Sequence, residues 1–220
     1  MSDYSDFVAQ ERLLSRQQKA FGEAEILRHY CFRQDNGRVP QMEQARRYVV
    51  HWEQMEEQNL GLLFWGKPGN GKTFAAGCIA NALMEQVNGF FFTVKMTTFG
   101  TILTRLPGMS AQEKERYLDD FKTCDLLILD DFGMERQTDY AREQIFNIID
   151  GRYLSRKPLI VTTNMSLQEL KNPKDLAQQR IFDRILEMCV PVCFDGDSLR
   201  QEKARDNLRL YKQLTAGASV

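Results

Sequence analysis

The chain has 220 residues, with 29 Lys+Arg against 30 Asp+Glu, a length that suits one α/β domain with a short appendage. Its formal net charge of −1 excludes a protein that coats nucleic acid by bulk charge, though a local basic patch remains open. No apolar run approaches the roughly 20 residues that a membrane span needs, and the polar, acidic start Met1–Phe7 is not a secretory signal. The five cysteines (Cys31, Cys78, Cys124, Cys189 and Cys193) show no C-x-x-C spacing. They predict a reduced, cytoplasmic setting and no zinc site.

In chain order, Asp6–Phe32 spaces its apolar residues helically (Leu13, Leu14, Phe21, Ala24, Leu27, Tyr30). Asp35-Asn36-Gly37 reads as a turn, with Pro40 close behind. Gln41–Gln58 predicts a second helix, with Met42, Ala45, Val49 and Trp52 on one face. Short apolar runs follow at Leu60–Trp65, Phe90–Lys95, Leu126–Asp130, Leu159–Thr163 and Val190–Phe194, separated by helical stretches. Runs apolar on both faces and alternating with helices predict a buried parallel sheet of five strands, a doubly wound α/β domain. A last helix is expected from Asp197 to about Leu214.

The first run leads into Gly66-Lys67-Pro68-Gly69-Asn70-Gly71-Lys72-Thr73, followed by Phe74 and a helix start. This is the phosphate-loop pattern in the strand-to-helix context that its mechanism demands. Gly66, Gly69 and Gly71 let the backbone wrap phosphate oxygens, and Lys72 reaches the β- and γ-phosphates of ATP or ADP. The Thr73 hydroxyl is a ligand for Mg²⁺, and the helix N-terminus adds its dipole. The third run ends in Asp130-Asp131. An acid at that strand tip holds Mg²⁺ in phosphate-loop enzymes, so Asp130 takes that role and Asp131 is the candidate to polarise the attacking water. Asn164 ends the polar tip Thr162-Thr163-Asn164, where it could orient that water or simply begin a turn.

Together with Arg180-Ile181-Phe182-Asp183-Arg184-Ile185, these motifs resemble AAA+ ATPases. Asn59–Trp65 and Arg136–Tyr153 are similar to the DnaC/IstB-like branch, the bacterial replicative helicase loaders and transposition helpers. The resemblance runs from about Pro40 to Leu210. It implies an α/β phosphate-loop domain over 39–220, a helical N-terminal extension over 1–38, and a reduced lid, because about one helix follows Arg200. It implies that Asn164 is a first sensor, that Arg200 is a second sensor in cis, and that Arg184 is the finger offered to a neighbour's nucleotide, with Arg180 as its understudy. Asp131 stands where many AAA+ enzymes have Glu, which implies slow turnover.

The resemblance further implies self-assembly into a ring or helical filament, a replicative helicase as partner, and single-stranded DNA along the channel. A transposase and duplex DNA are the alternative, and a small-molecule kinase is disfavoured because it needs no arginine in trans. Phe99, Arg105, Lys114, Arg116 and Tyr117, between the second and third strands, are candidate DNA contacts. The same stretch carries Glu113, Glu115, Asp119 and Asp120, which a plain solvated face would also show.

Overall fold

The structure, a computed structural model, describes residues 2–85, 89–133 and 138–215, with side chains from Phe7 onward. The similar stretch Arg136–Tyr153 therefore begins outside the described residues. Five parallel strands form one sheet: β1 Gly61–Trp65, β2 Val94–Thr97, β3 Leu126–Phe132, β4 Leu159–Thr163 and β5 Cys189–Cys193. Their order is β2-β3-β4-β1-β5, so β1, which feeds the glycine-rich loop, lies inside the sheet between β4 and β5.

The sheet is covered on both faces. One face receives α1 (Ser2–Phe21), α2 (Gln41–Val50), α3 (Trp52–Glu57) and α4 (Lys72–Glu85). The other receives α5 (Phe99–Arg105), α6 (Ala111–Thr123), α7 (Asp139–Ser155) and α9 (Leu176–Met188), with the short α8 (Leu167–Lys171) at its margin. The strands are apolar on both sides because both sides are core: Leu126, Leu127, Ile128 and Leu129 are all fully buried. A final helix, α10 (Leu199–Thr215), buries none of its side chains. No helix among the described residues is long and apolar enough to cross a membrane.

Three elements differ from the sequence expectation. The helix expected over Asp6–Phe32 ends at Gly22, whose φ of 58° closes α1. The chain then folds back as 3-10 turns at Glu25–His29 and Phe32–Gln34, bringing Leu27 and Tyr30 against α4. The helix expected over Gln41–Gln58 breaks at His51, which leaves the helical region at φ −105° and ψ 26°. That break turns the Trp52 ring into the core between Tyr48, at 5.8 Å, and Phe92, at 5.5 Å. The second strand starts at Val94 rather than Phe90, because Asp125 accepts from both the backbone and the hydroxyl of Thr93 and sets the start of pairing there. Phe90 and Phe91 remain exposed.

Candidate nucleotide site

The loop after β1 is tight and braced from behind. Gly66 and Gly69 take φ values of 133° and 88°, which L side chains rarely adopt. A Cβ at Gly66 would lie 2.3 Å from the Phe194 carbonyl oxygen, and one at Gly69 would lie 2.2 Å from Ser198 Oγ. The crowding atoms belong to the segment after β5, to which the loop is bonded. The Asn70 amide donates to the carbonyls of Phe194 and Gly196, each at 3.1 Å, and the Leu199 N–H donates to Gly69 at 3.0 Å. Asn70 is thus a brace for the loop.

Lys72 opens α4 and is buried despite its charge. Its ammonium donates to two loop carbonyls, Gly66 at 2.7 Å and Lys67 at 2.8 Å. Burial pushes its pKa down, with Asp131 and Asp130 pulling the other way. A buried cation bonded only to neutral oxygens is a site prepared for an anion.

Beside it, Asp130 at the tip of β3 is held by two hydroxyls on a single carboxylate oxygen. Thr73 donates to that oxygen at 3.0 Å and Thr162 at 2.6 Å. Burial raises the Asp130 pKa, the Thr162 and Thr73 bonds lower it, and Asp131 adds repulsion. The β3–β4 ladder is irregular between Leu129 and Phe132. Within that irregularity Asp131 adopts φ 52°, and its N–H is taken by Thr162 Oγ1 at 3.0 Å. Thr162 therefore fixes both acids, one through its proton and one through its lone pair. Sequence reading marked the Thr162-Thr163-Asn164 tip but assigned a role only to Asn164.

A cleft of about 310 Å³ brings together Lys72, Thr73, Asp131, Asn164 and Arg200. Tyr30, Leu199 and Lys203 line it too, and none of these was assigned to a site from sequence, where Tyr30 read only as an apolar position of the first helix. Phe74 lines the same cleft, its ring meeting that of Tyr30 edge-on at 5.1 Å. Among the described residues no three His, Cys, Asp or Glu side chains cluster as a metal cage. The Thr73–Asp130 pair suits Mg²⁺ instead, which keeps several waters and is commonly held by one or two carboxylates plus phosphate oxygens.

Arg184 is not part of this cleft. It lies on α9, its Nε donating to Asp150 at 3.2 Å and its guanidinium 3.8 Å from the centre of the Tyr153 ring. Arg180, one turn away, stacks over Phe146 at 4.7 Å, and both arginines line a second pocket of about 350 Å³.

The candidate DNA contacts divide. Phe99 is 1% exposed and packs edge-on against Phe132 at 5.9 Å, so it has no face for a base and is corrected to a core residue. Tyr117 is half-buried against Phe121, and burial raises its phenol pKa. Arg105 and Arg116 are exposed, and Lys114 is partly so.

A family described as IstB-like ATP binding protein matches residues 9–207. The replicative helicase loader DnaC of Escherichia coli (strain K12) is 29% identical over 168 residues, 74% of this chain and 64% of that protein. The replicative helicase loader DnaI of Bacillus subtilis (strain 168) is 29% identical over 150 residues, 64% of this chain and 47% of its own length. This chain thus spans less than two thirds of these relatives. Among solved structures, the DnaC helicase loader superposes with a TM-score of 0.58 at 31% identity, covering 70% of this chain and 87% of that one. A DnaA replication initiator bound to AMPPCP and single-stranded DNA superposes with a TM-score of 0.59 at 18% identity, a likeness of fold. The chain belongs to the IstB-like ATP binding proteins, in the AAA+ branch that includes the DnaC-type loaders.

Proposed function

We propose that this chain is an ATP-driven switch on DNA that acts as a replicative helicase loader. The observation that carries the nucleotide half is Lys72, a buried ammonium bonded only to loop carbonyls and opening on a cleft with Thr73, Asp131, Asn164 and Arg200. In this reading Gly66–Thr73 cradles the phosphates of ATP or ADP, with Lys72 countering their charge. Thr73 and Asp130 hold Mg²⁺, which would neutralise charge on the phosphate oxygens. Asp131, exposed on its strained turn, takes the proton of the attacking water, and Asn164 orients that water. Arg200 contacts phosphate from the same subunit. Arg184, set outside its own cleft, serves a neighbour's cleft in an assembled ring or filament.

The loader half rests on the similarity to DnaC and DnaI. It takes a replicative helicase and single-stranded DNA as partners, with Arg105, Lys114 and Arg116 as DNA contacts and Tyr117 at their margin. The division into an extension over 1–38 and an ATPase domain over 39–220 belongs to the same reading. The name of the matching family keeps one alternative in view, a transposition helper that delivers duplex DNA to a transposase.

Fluorescent-ATP titration tests the nucleotide half. Lys72→Ala should stay folded and lose most of its ATP affinity, and a folded variant with unchanged affinity would refute the site. Anisotropy with labelled single and double strands tests the DNA half. Single-strand preference strengthened by ATP is expected, and a duplex preference moves the reading to the transposition helper.

A further inference from the structure

The turn of α4 beyond the phosphate loop carries a buried polar group that the nucleotide reading does not use. Asn81 is 3% exposed, and its amide nitrogen donates to the carbonyls of Leu27 at 2.7 Å, Tyr30 at 2.9 Å and Gly77 at 3.0 Å. Its oxygen accepts from Gln17 Nε2 at 2.8 Å, and the same Gln17 nitrogen reaches the Arg28 carbonyl at 3.2 Å. Gln17 is itself 6% exposed. Two buried amides gain little net stability over apolar residues of the same shape, but they fix one geometry. The geometry fixed here is that of residues 27–30 against the helix that starts at Lys72.

The residue delivered by that geometry is Tyr30. Its ring lies over Gly77, where a Cβ would come within 2.7 Å of Tyr30 Cδ2, so glycine at that position is what lets the ring sit so close. It meets Phe74 edge-on and lines the same cleft as Lys72 and Thr73. An aromatic ring lining the same cleft as a phosphate cradle can offer stacking to a planar base.

We infer that Gln17 and Asn81 form a buried amide latch that seats Tyr30 as the platform for the nucleobase, making helix α1 part of the nucleotide site. The inference rests on the nucleotide reading above and adds a base-recognition end to it, with Tyr30 as binding residue and Gln17 and Asn81 as positioning residues. It links the N-terminal helix to occupancy of the cleft through side chains rather than through the loop itself.

Titration calorimetry of the full chain with two probes, ATP and inorganic tripolyphosphate, separates the two readings. Tyr30→Ala should weaken ATP about tenfold, the worth of one base–aromatic stack, and leave tripolyphosphate within about twofold. Tyr30→Phe, which keeps the ring, should bind ATP like the wild type. Gly77→Ala is the independent variant: it raises helix propensity in α4 yet pushes the ring aside, so it should lose ATP and spare tripolyphosphate. Gln17→Leu should do the same by releasing the latch. ATP affinity unchanged in Tyr30→Ala and Gly77→Ala overturns the platform, as does a parallel loss of both probes in folded variants. Unchanged ATP affinity in Gln17→Leu overturns the latch. If the wild type takes neither probe, the nucleotide reading falls, and this one falls with it.

Discussion

Asp130 shows how a single carboxylate can be placed against its own stability. Burial raises its pKa above the usual Asp value of about 3.9, so across that interval the folded chain binds more protons than the unfolded one. Stability of the ligand-free protein therefore falls as pH rises through the interval and stays reduced above it. Asp130→Asn keeps an acceptor for Thr73 and Thr162 but removes the buried charge. It should raise Tm in ligand-free protein near neutral pH and flatten the acid-side pH dependence, while abolishing Mg²⁺-dependent turnover. Thermal melts between about pH 4 and 7 check this, and an unchanged or lower Tm contradicts it. Asp130 itself was legible in sequence, because an apolar strand ending in acids gains its meaning from the phosphate loop, whose chemistry needs a carboxylate there to hold Mg²⁺. Thr162 was not: its role appears only when β4 is laid beside β3 in register, with the ladder broken between Leu129 and Phe132.

At the scale of elements, the least visible feature in the sequence is Arg152. In the pattern of α7 it reads as one more solvated charge, yet it is fully buried. Its guanidinium donates to the carbonyls of Phe121, Lys122, Cys124, Asp125 and Pro158. These oxygens belong to the end of α6, the two residues leading into β3 and the approach to β4, so one side chain ties three elements together. Burial lowers its pKa, with Cys124 and Asp125 among the groups opposing the shift. Arg152→Met would take a donor from five carbonyls, of which Lys122 keeps the Ser155 hydroxyl at 3.0 Å and Pro158 keeps the Leu127 N–H at 3.4 Å. It should cost about 3 kcal/mol, or about 6–12 °C in Tm for a chain of this size. Arg152→Lys should recover little, since an ammonium lacks the fork of five donors. Calorimetric melts decide it, and a change of only a degree or two would show that water satisfies these carbonyls. The strands and the helices after them were legible to within a few residues, whereas the end of α1 at Gly22 and the break at His51 were not. No propensity marks that break, because burial of Trp52 decides it.

For the whole molecule, strand order explains why the site forms where it does. With β1 beside β4 and β4 beside β3, the loop, the Asn164 tip and the acidic tip reach the same end of the sheet, the end where α/β folds bind ligands. That much follows from motif and fold class. Arg184 is different: within one chain it faces Asp150 and not the cleft, so its proposed role requires a second copy. An isolated subunit should bind ATP yet turn it over slowly, since an arginine in trans is worth about 10³–10⁵ in rate. Arg184→Ala should keep ATP affinity and lose assembly-stimulated turnover, and mixing it with Asp131→Ala should restore part of the activity at interfaces that pair the intact halves. Full activity of Arg184→Ala under assembling conditions would move the finger to Arg180.

The loop is also where the two flanks of the chain meet. Val39 and Leu199 both come within 4 Å of where a Cβ on Gly71 would lie, Gln41 donates to the Cys193 carbonyl at 2.6 Å, and Arg38 pairs with Glu202 across 164 residues of sequence. A ligand in the cleft, touching Tyr30 on one flank and Arg200 on the other, would act as a noncovalent staple closing almost the whole chain into a loop. By mass action, ligand at 100 times its Kd contributes about 2.7 kcal/mol to folding. Because both flanks line the cleft, protection from proteases on ligand binding should appear at the two ends of the chain together.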